Sequence, residues 1–245
     1  MALKEKVEIN YSAEIEELAN RYSAFKILLD AYIRKEKKYR WRVSDPFFNL
    51  YNERVYELQV MFIGKTGYGK STTLNTIIGK NVFNYSDVSA CTKELYCSRY
   101  RFNKNQNFYL SLNDLPGIGE SKNSDLKYYE WYRDMFKKTS CVVYVLRADQ
   151  RDFSIDEICF NNMFKTYEEK SKVILALNCA DKIEPINRNS FLSSEQIMNL
   201  NKKLYEVSKI FNISTDNILY YSAADKINID ILTNKICSIL KKELI

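Results

Sequence analysis

Gly64-Lys65-Thr66-Gly67-Tyr68-Gly69-Lys70-Ser71 constrains this chain more than any other stretch. It fits G-x-x-x-x-G-K-[ST], and its flanks suit a phosphate-binding loop: apolar Leu58-Gln59-Val60-Met61-Phe62-Ile63 leads in as a strand, and Thr72-Thr73-Leu74-Asn75-Thr76-Ile77-Ile78 follows as a helix. Glycines let the backbone curl so that successive N–H groups converge on one anion, and the helix N-terminus adds partial positive charge. In such a loop Lys70 reaches the β- and γ-phosphates, the Ser71 hydroxyl ligates Mg²⁺, and Thr72 closes the cradle. The competing reading is a glycine-rich strand-to-helix turn with no ligand.

Three further signals follow in the order a nucleotide switch requires. Phe108-Tyr109-Leu110-Ser111-Leu112 runs as a strand into Asn113-Asp114-Leu115-Pro116-Gly117, a D-x-x-G at a strand's carboxyl end. An Asp there holds Mg²⁺ through water, and a Gly lets a backbone N–H approach a γ-phosphate. Val173-Ile174-Leu175-Ala176-Leu177 ends in Asn178-Cys179-Ala180-Asp181, and Ile218-Leu219-Tyr220-Tyr221 leads to Ser222-Ala223. Singly these are common turns. Together, each at the end of an apolar run, they form one constellation.

At these residues the chain resembles the TRAFAC class of small GTPases, and within it the Era-like bacterial GTPases. Asn178-Cys179-Ala180-Asp181 is similar to the N-K-x-D guanine motif, and Ser222-Ala223 to the S-A loop. The resemblance implies that Asp181 accepts from the guanine N1 and N2 hydrogens and that Asn178 contacts the other purine edge. Adenine lacks that pair of donors, so GTP and GDP are the expected ligands, with Mg²⁺ as cofactor. A finer likeness is to the YfjP/YeeP-like GTPases, in the stretches Asp114 to Ser121, Arg147 to Glu157 and Ala180 to Pro185. It covers about residues 57–245. Two positions depart. Cys179 replaces the lysine whose stem packs over the base, which implies weaker affinity. Ile118 stands where Ras-like relatives carry a water-orienting Gln, which implies slow intrinsic hydrolysis, accelerated by a G-domain homodimer or an activating protein. Relatives lacking that Gln often use potassium held by a loop asparagine; Gly67 offers no such ligand here.

At 245 residues the chain accommodates one G domain and a small accessory element. Its 46% hydrophobic content is that of a soluble globular protein. The charged start Met1 to Glu8 reads as no signal peptide, and six scattered cysteines read as reduced thiols, so a cytoplasmic location is expected. His 0 excludes Ser–His–Asp and Cys–His catalysis and any histidine-ligated zinc. Phosphoryl transfer survives that exclusion, because it relies on positioning and charge stabilisation. The net charge of +6 fits a solvated basic face, with an RNA, ribosome or anionic membrane surface as the alternative.

From about residue 12 to 38 the pattern is helical, with Ile15, Leu18, Tyr22, Phe25, Leu29 and Tyr32 on one stripe. A stripe of this length packs on the G domain, or serves a dimer or effector. It ends in Arg34-Lys35-Glu36-Lys37-Lys38-Tyr39-Arg40-Trp41-Arg42, a solvated helix end or a basic, aromatic contact surface. Ser44-Asp45-Pro46 then reads as the start of a short helix. Residues 1–56 are thus assigned to an N-terminal helical extension and 57–245 to the G domain.

Strands are expected near 57–64, 93–102, 107–113, 140–147, 171–178 and 217–222, and helices near 70–79, 125–138, 154–168, 193–211 and 229–243. That alternation predicts an α/β fold, a doubly wound and mainly parallel sheet with one antiparallel strand at 93–102. The loop Asn84 to Lys93 occupies the place of switch I, with Thr92 as the Mg²⁺-binding threonine and Ser86 and Ser89 as rivals. Glu120 in the following switch reads as a solvated carboxylate or a base. Catalytic roles therefore fall to Lys70 and Thr92. A GTP-binding switch with slow, Mg²⁺-dependent hydrolysis leads, ahead of a nucleotide-regulated binding module and of an ATPase, which Asn178 and Asp181 oppose.

Overall fold

The computed structural model describes residues 8–38, 47–48, 54–83, 95–104, 108–118, 132–133, 135–186 and 191–244. In chain order the first elements are β1 (Glu8–Glu14), α1 (Glu16–Arg21), α2 (Ser23–Lys38), β2 (Phe47–Phe48), β3 (Arg54–Ile63), α3 (Lys70–Ile78), β4 (Tyr96–Arg101) and β5 (Phe108–Asp114). They continue as β6 (Cys141–Arg147), α4 (Ser154–Met163), α5 (Tyr167–Ser171), β7 (Val173–Asn178), α6 (Ser194–Phe211), β8 (Ile218–Tyr220) and α7 (Ile229–Glu243).

The main sheet runs β1-β4-β5-β3-β6-β7-β8. β5 and β7 are buried at every position, and β6 at all but its last, as strands covered on both faces must be. β5, β3, β6, β7 and β8 pair in parallel, so their carboxyl ends open on one edge. β4 is antiparallel to β5 as expected, but it is not alone. β1 pairs with β4 in parallel and so also opposes the central strands.

That strand corrects the expectation of helix from residue 12: the chain stays extended through Glu14, and helix begins at Glu16. The stripe itself is seated on the sheet. Ile15, Leu18, Phe25 and Tyr32 are fully buried, in one cluster with Leu74 and Ile77 of α3 and Ile236 and Leu240 of α7. Polar ties reinforce the contact. Arg21 Nε donates to Ile77 O (3.3 Å), the Tyr22 hydroxyl donates to Thr76 O (3.3 Å), and Lys80 pairs with Glu17 (2.7 Å). The N-terminal segment therefore adds a strand and two helices to the architecture of the nucleotide fold.

Two more elements depart from expectation. Phe47–Phe48, read as the first turn of a short helix after Pro46, pair antiparallel with Arg54 and Val55. The helix expected over 154–168 breaks at Phe164, which is extended, and a new one starts after Thr166. The break has a local cause: Thr166 accepts from the Glu169 N–H, and the Glu169 carboxylate accepts from the Thr166 N–H (2.9 Å), a reciprocal cap. The helix near 125–138 lies largely outside the described residues, as do Tyr39 to Arg42. No helix among the described residues is long and apolar enough to cross a membrane.

Candidate nucleotide site

The sheet's geometry gathers the sequence motifs. Gly64 follows β3, Asp114 ends β5, Asn178 ends β7, and Ser222 follows β8, all on the edge where ligands bind in doubly wound sheets. The glycine-rich loop curls back so that the buried Lys70 ammonium donates to Gly64 O (3.0 Å) and Lys65 O (3.1 Å). Gly69 precedes α3 in the left-handed region (φ 88°), and a Cβ there would collide with the Asn178 amide. Only glycine lets the phosphate loop and the β7 end approach this closely.

Ser71 and Asp114 meet directly, the hydroxyl donating to the carboxylate at 2.5 Å. Asp114 is fully buried at the sheet edge. This pair of hard oxygen donors beside the loop fits a small divalent cation. Gly117 packs so tightly on the loop that a Cβ would overlap Thr66 Oγ1. Ile118 N donates to Gly64 O (3.3 Å), and its side chain is buried with Met61, Leu115, Tyr132 and Tyr144. Isoleucine there is core. Ile118→Ala should therefore cost about 2–5 kcal/mol of stability. Basal hydrolysis should stay within about tenfold, a barrier change below roughly 1.4 kcal/mol. Denaturant unfolding and phosphate release read the two effects, and a hundredfold slower rate in the folded variant would contradict the core assignment.

At the other end, Asn178 latches loops together. Its Nδ2 donates to Tyr68 O (2.9 Å), and its Oδ1 accepts from the Ala223 N–H (3.0 Å). The amide thus spans the phosphate loop and the Ser222-Ala223 loop, a structural use that its expected contact with the purine did not include. Ser222 Oγ in turn accepts from the Asp225 N–H (3.2 Å). Between these elements lies a cavity of about 860 Å³ lined by Gly67, Tyr68, Gly69, Thr72, Asp181 and Ala223. Arg21, Lys80, Arg147, Lys182 and Lys226 also line it, so cations outnumber the single carboxylate of Asp181. Such a wall suits a polyanion. Thr92, its rivals Ser86 and Ser89, and Glu120 lie outside the described residues.

One cluster beneath the loop was not read from sequence. Asp156, fully buried in α4, accepts from the Lys65 ammonium (2.8 Å) and from Gln150 Nε2 (3.1 Å). The Tyr68 hydroxyl bonds Gln150. Burial alone would depress the Lys65 pKa; hydrogen bonding and charge from Asp156 outweigh it and raise it. The cluster ties two loop residues to α4 and so fixes the loop from below.

Residues 59–179 match the family described as 50S ribosome-binding GTPase. Over 157 residues the chain is 32% identical to YkfA and 31% identical to YfjP, both from Escherichia coli K12, covering 64% of this chain and 53% of each relative. Its G domain is of the Era-like TRAFAC class. The chain spans about half the length of these curated relatives. The same fold recurs in Toc33 of Arabidopsis thaliana, at TM-score 0.62 and 17% identity over 94% of this chain and 97% of that one. It recurs in Era complexed with MgGDPNP and a 16S ribosomal RNA fragment, at TM-score 0.57 and 24% identity over 75% of this chain and 57% of that one. Over residues 59–179 the chain thus carries a P-loop GTPase-family domain.

Proposed function

We propose that the protein binds GTP and GDP through the residues named above and hydrolyses GTP slowly, with Mg²⁺. The carrying observation is the convergence of the Lys70 loop, the Ser71–Asp114 pair and the Asn178 latch around one cation-lined cavity. Lys70 and the loop N–H groups would hold the β- and γ-phosphates and stabilise charge on the bridging oxygen. Mg²⁺ would be held by Ser71 and Thr92, with Asp114 acting through water, and would neutralise phosphate charge. Asp181 and the Ser222-Ala223 loop would read the base. Ile118 itself carries no polar group with which to orient a water, which supports a slow rate. In Toc33 and psToc159, dimerization is important for GTPase activity. The same device, a second G domain or an activator, would supply the missing group here.

Multiple-turnover phosphate release with Mg²⁺ and with chelator tests hydrolysis. A slow, Mg²⁺-dependent rate that rises with protein concentration supports the switch with self-activation; no release over many hours leaves a nucleotide-regulated binding module for RNA, the ribosome or a membrane surface. Base selection has its own test. Asp181→Asn should shift preference from guanine toward xanthine nucleotides, because an amide presents a donor where the carboxylate accepted. Titration of wild type and variant with GTP and XTP reads it, with roughly a tenfold or larger exchange expected for one buried polar mismatch. An unchanged ratio would remove Asp181 from the base site.

A further inference from the structure

Hydrogen bonds from Asp181 and the Ser222-Ala223 loop would meet a guanine in its own plane. A purine held only by its edge keeps two flat faces to be covered. Cys179, between Asn178 and Asp181, holds a left-handed backbone (φ 60°) and presents a short thiol to the cavity. Arg147 stands beside it. It ends β6 in register with Asn178, and the Ala148 N–H donates to Asn178 O (2.8 Å). Its guanidinium is gripped by Asp149 in a fork, Nε to Oδ1 at 3.0 Å and an Nη2 to Oδ2 bond at 2.7 Å.

That fork has three physical consequences. It fixes the plane of the guanidinium, offsets its charge, and engages one edge through bonds that lie in that plane and take up neither face. A guanidinium in this state stacks on a ring without giving up its hydrogen bonds. The side chain keeps 32% of its exposure, and Arg147 lines the same cavity as Cys179, Asp181 and Lys182.

We propose that Arg147, clamped by Asp149, is the stacking platform for the guanine ring and covers the face that the Cys179 thiol is too short to cover. The assignment rests on the reading that a guanine binds beside Asp181. Asp149 is then a positioning residue that acts through Arg147.

The experiment is a titration of GTP and GDP into wild type, Arg147→Ala, Arg147→Lys, Asp149→Ala and Cys179→Lys, and into the Arg147→Ala/Cys179→Lys double variant. Arg147→Ala should lose about tenfold in affinity for both nucleotides alike. Arg147→Lys keeps the charge but not the plane and should not rescue. Asp149→Ala should lose a few-fold, roughly, by freeing the guanidinium. In the Cys179→Lys background, where a long methylene stem covers the same face, Arg147→Ala should cost about twofold or less. A loss for GTP much larger than for GDP, or full rescue by lysine, would show a phosphate contact and overturn the proposal. So would equal losses in both Cys179 backgrounds, or no loss at all. Wild type that binds neither nucleotide would instead defeat the underlying guanine reading.

Discussion

Lys70→Ala is expected to lower GTP affinity by about a hundredfold or more, since a charge-assisted bond to phosphate is worth roughly 1.5–3 kcal/mol and this ammonium makes several. In the structure Lys70 is buried at 5% exposure, with its ammonium on the carbonyls of Gly64 and Lys65. Those partners are neutral. The ammonium sits at the phosphate loop itself, so removing it deprives the phosphates of their counter-charge while the strands and helices that carry the loop keep their packing. The thermal midpoint should accordingly move by only a few degrees, about 1 kcal/mol. Calorimetric titration and a melting curve on the same sample check both halves. Unchanged affinity in a folded variant would rule against the phosphate-loop assignment.

Asp156→Ala should instead act on the fold. Asp156 has no exposure, its pair with Lys65 is 2.8 Å long, and Lys65 keeps only 17% of its exposure. Removing one partner of a buried pair strands the other, at about 3 kcal/mol, and lowers the melting temperature by roughly 6–12 °C in a domain this size. Lys65→Met should be comparably damaging, because it leaves a buried carboxylate whose Oδ1 already lacks a hydrogen-bond partner. Replacing both, as Lys65→Met with Asp156→Leu, should recover much of the loss. The raised Lys65 pKa keeps its contribution fully present below the unfolded value near 10.5 and loses it only as pH climbs through the folded value. Neutral buffers therefore suffice. Single variants within about 0.5 kcal/mol of wild type would show that the pair stabilises nothing.

The parts of the site written as local patterns were legible. A glycine-rich loop between a strand and a helix, and polar residues ending apolar runs, report backbone geometry, and the strands lie within three residues of where the runs placed them. Through-space pairings were not. Lys65 and Asp156 are separated by 91 residues, and an acid between Phe153 and Phe160 reads equally well as the exposed side of a helix. β1 was missed although Glu8–Glu14 alternates polar and apolar residues, because the helical stripe from Ile15 was read back into it and its partner strand, β4, lies about 90 residues on. The break at Phe164 was readable, since Thr166 and Glu169 carry the cap signature, but helical periodicity before it masked the restart. Arg147 opens a stretch that carries the family likeness and Arg21 belongs to none, yet neither signals a place at the site; only the fold brings them to the cavity wall.

Competitive titration of the wild-type protein with GTP and ATP, in Mg²⁺ and with bound nucleotide first removed, tests the central claim most directly. A guanine site built on Asp181 predicts GTP binding at least about a hundredfold tighter than ATP, because adenine leaves the carboxylate without a donor. Equal affinity for the two would contradict it.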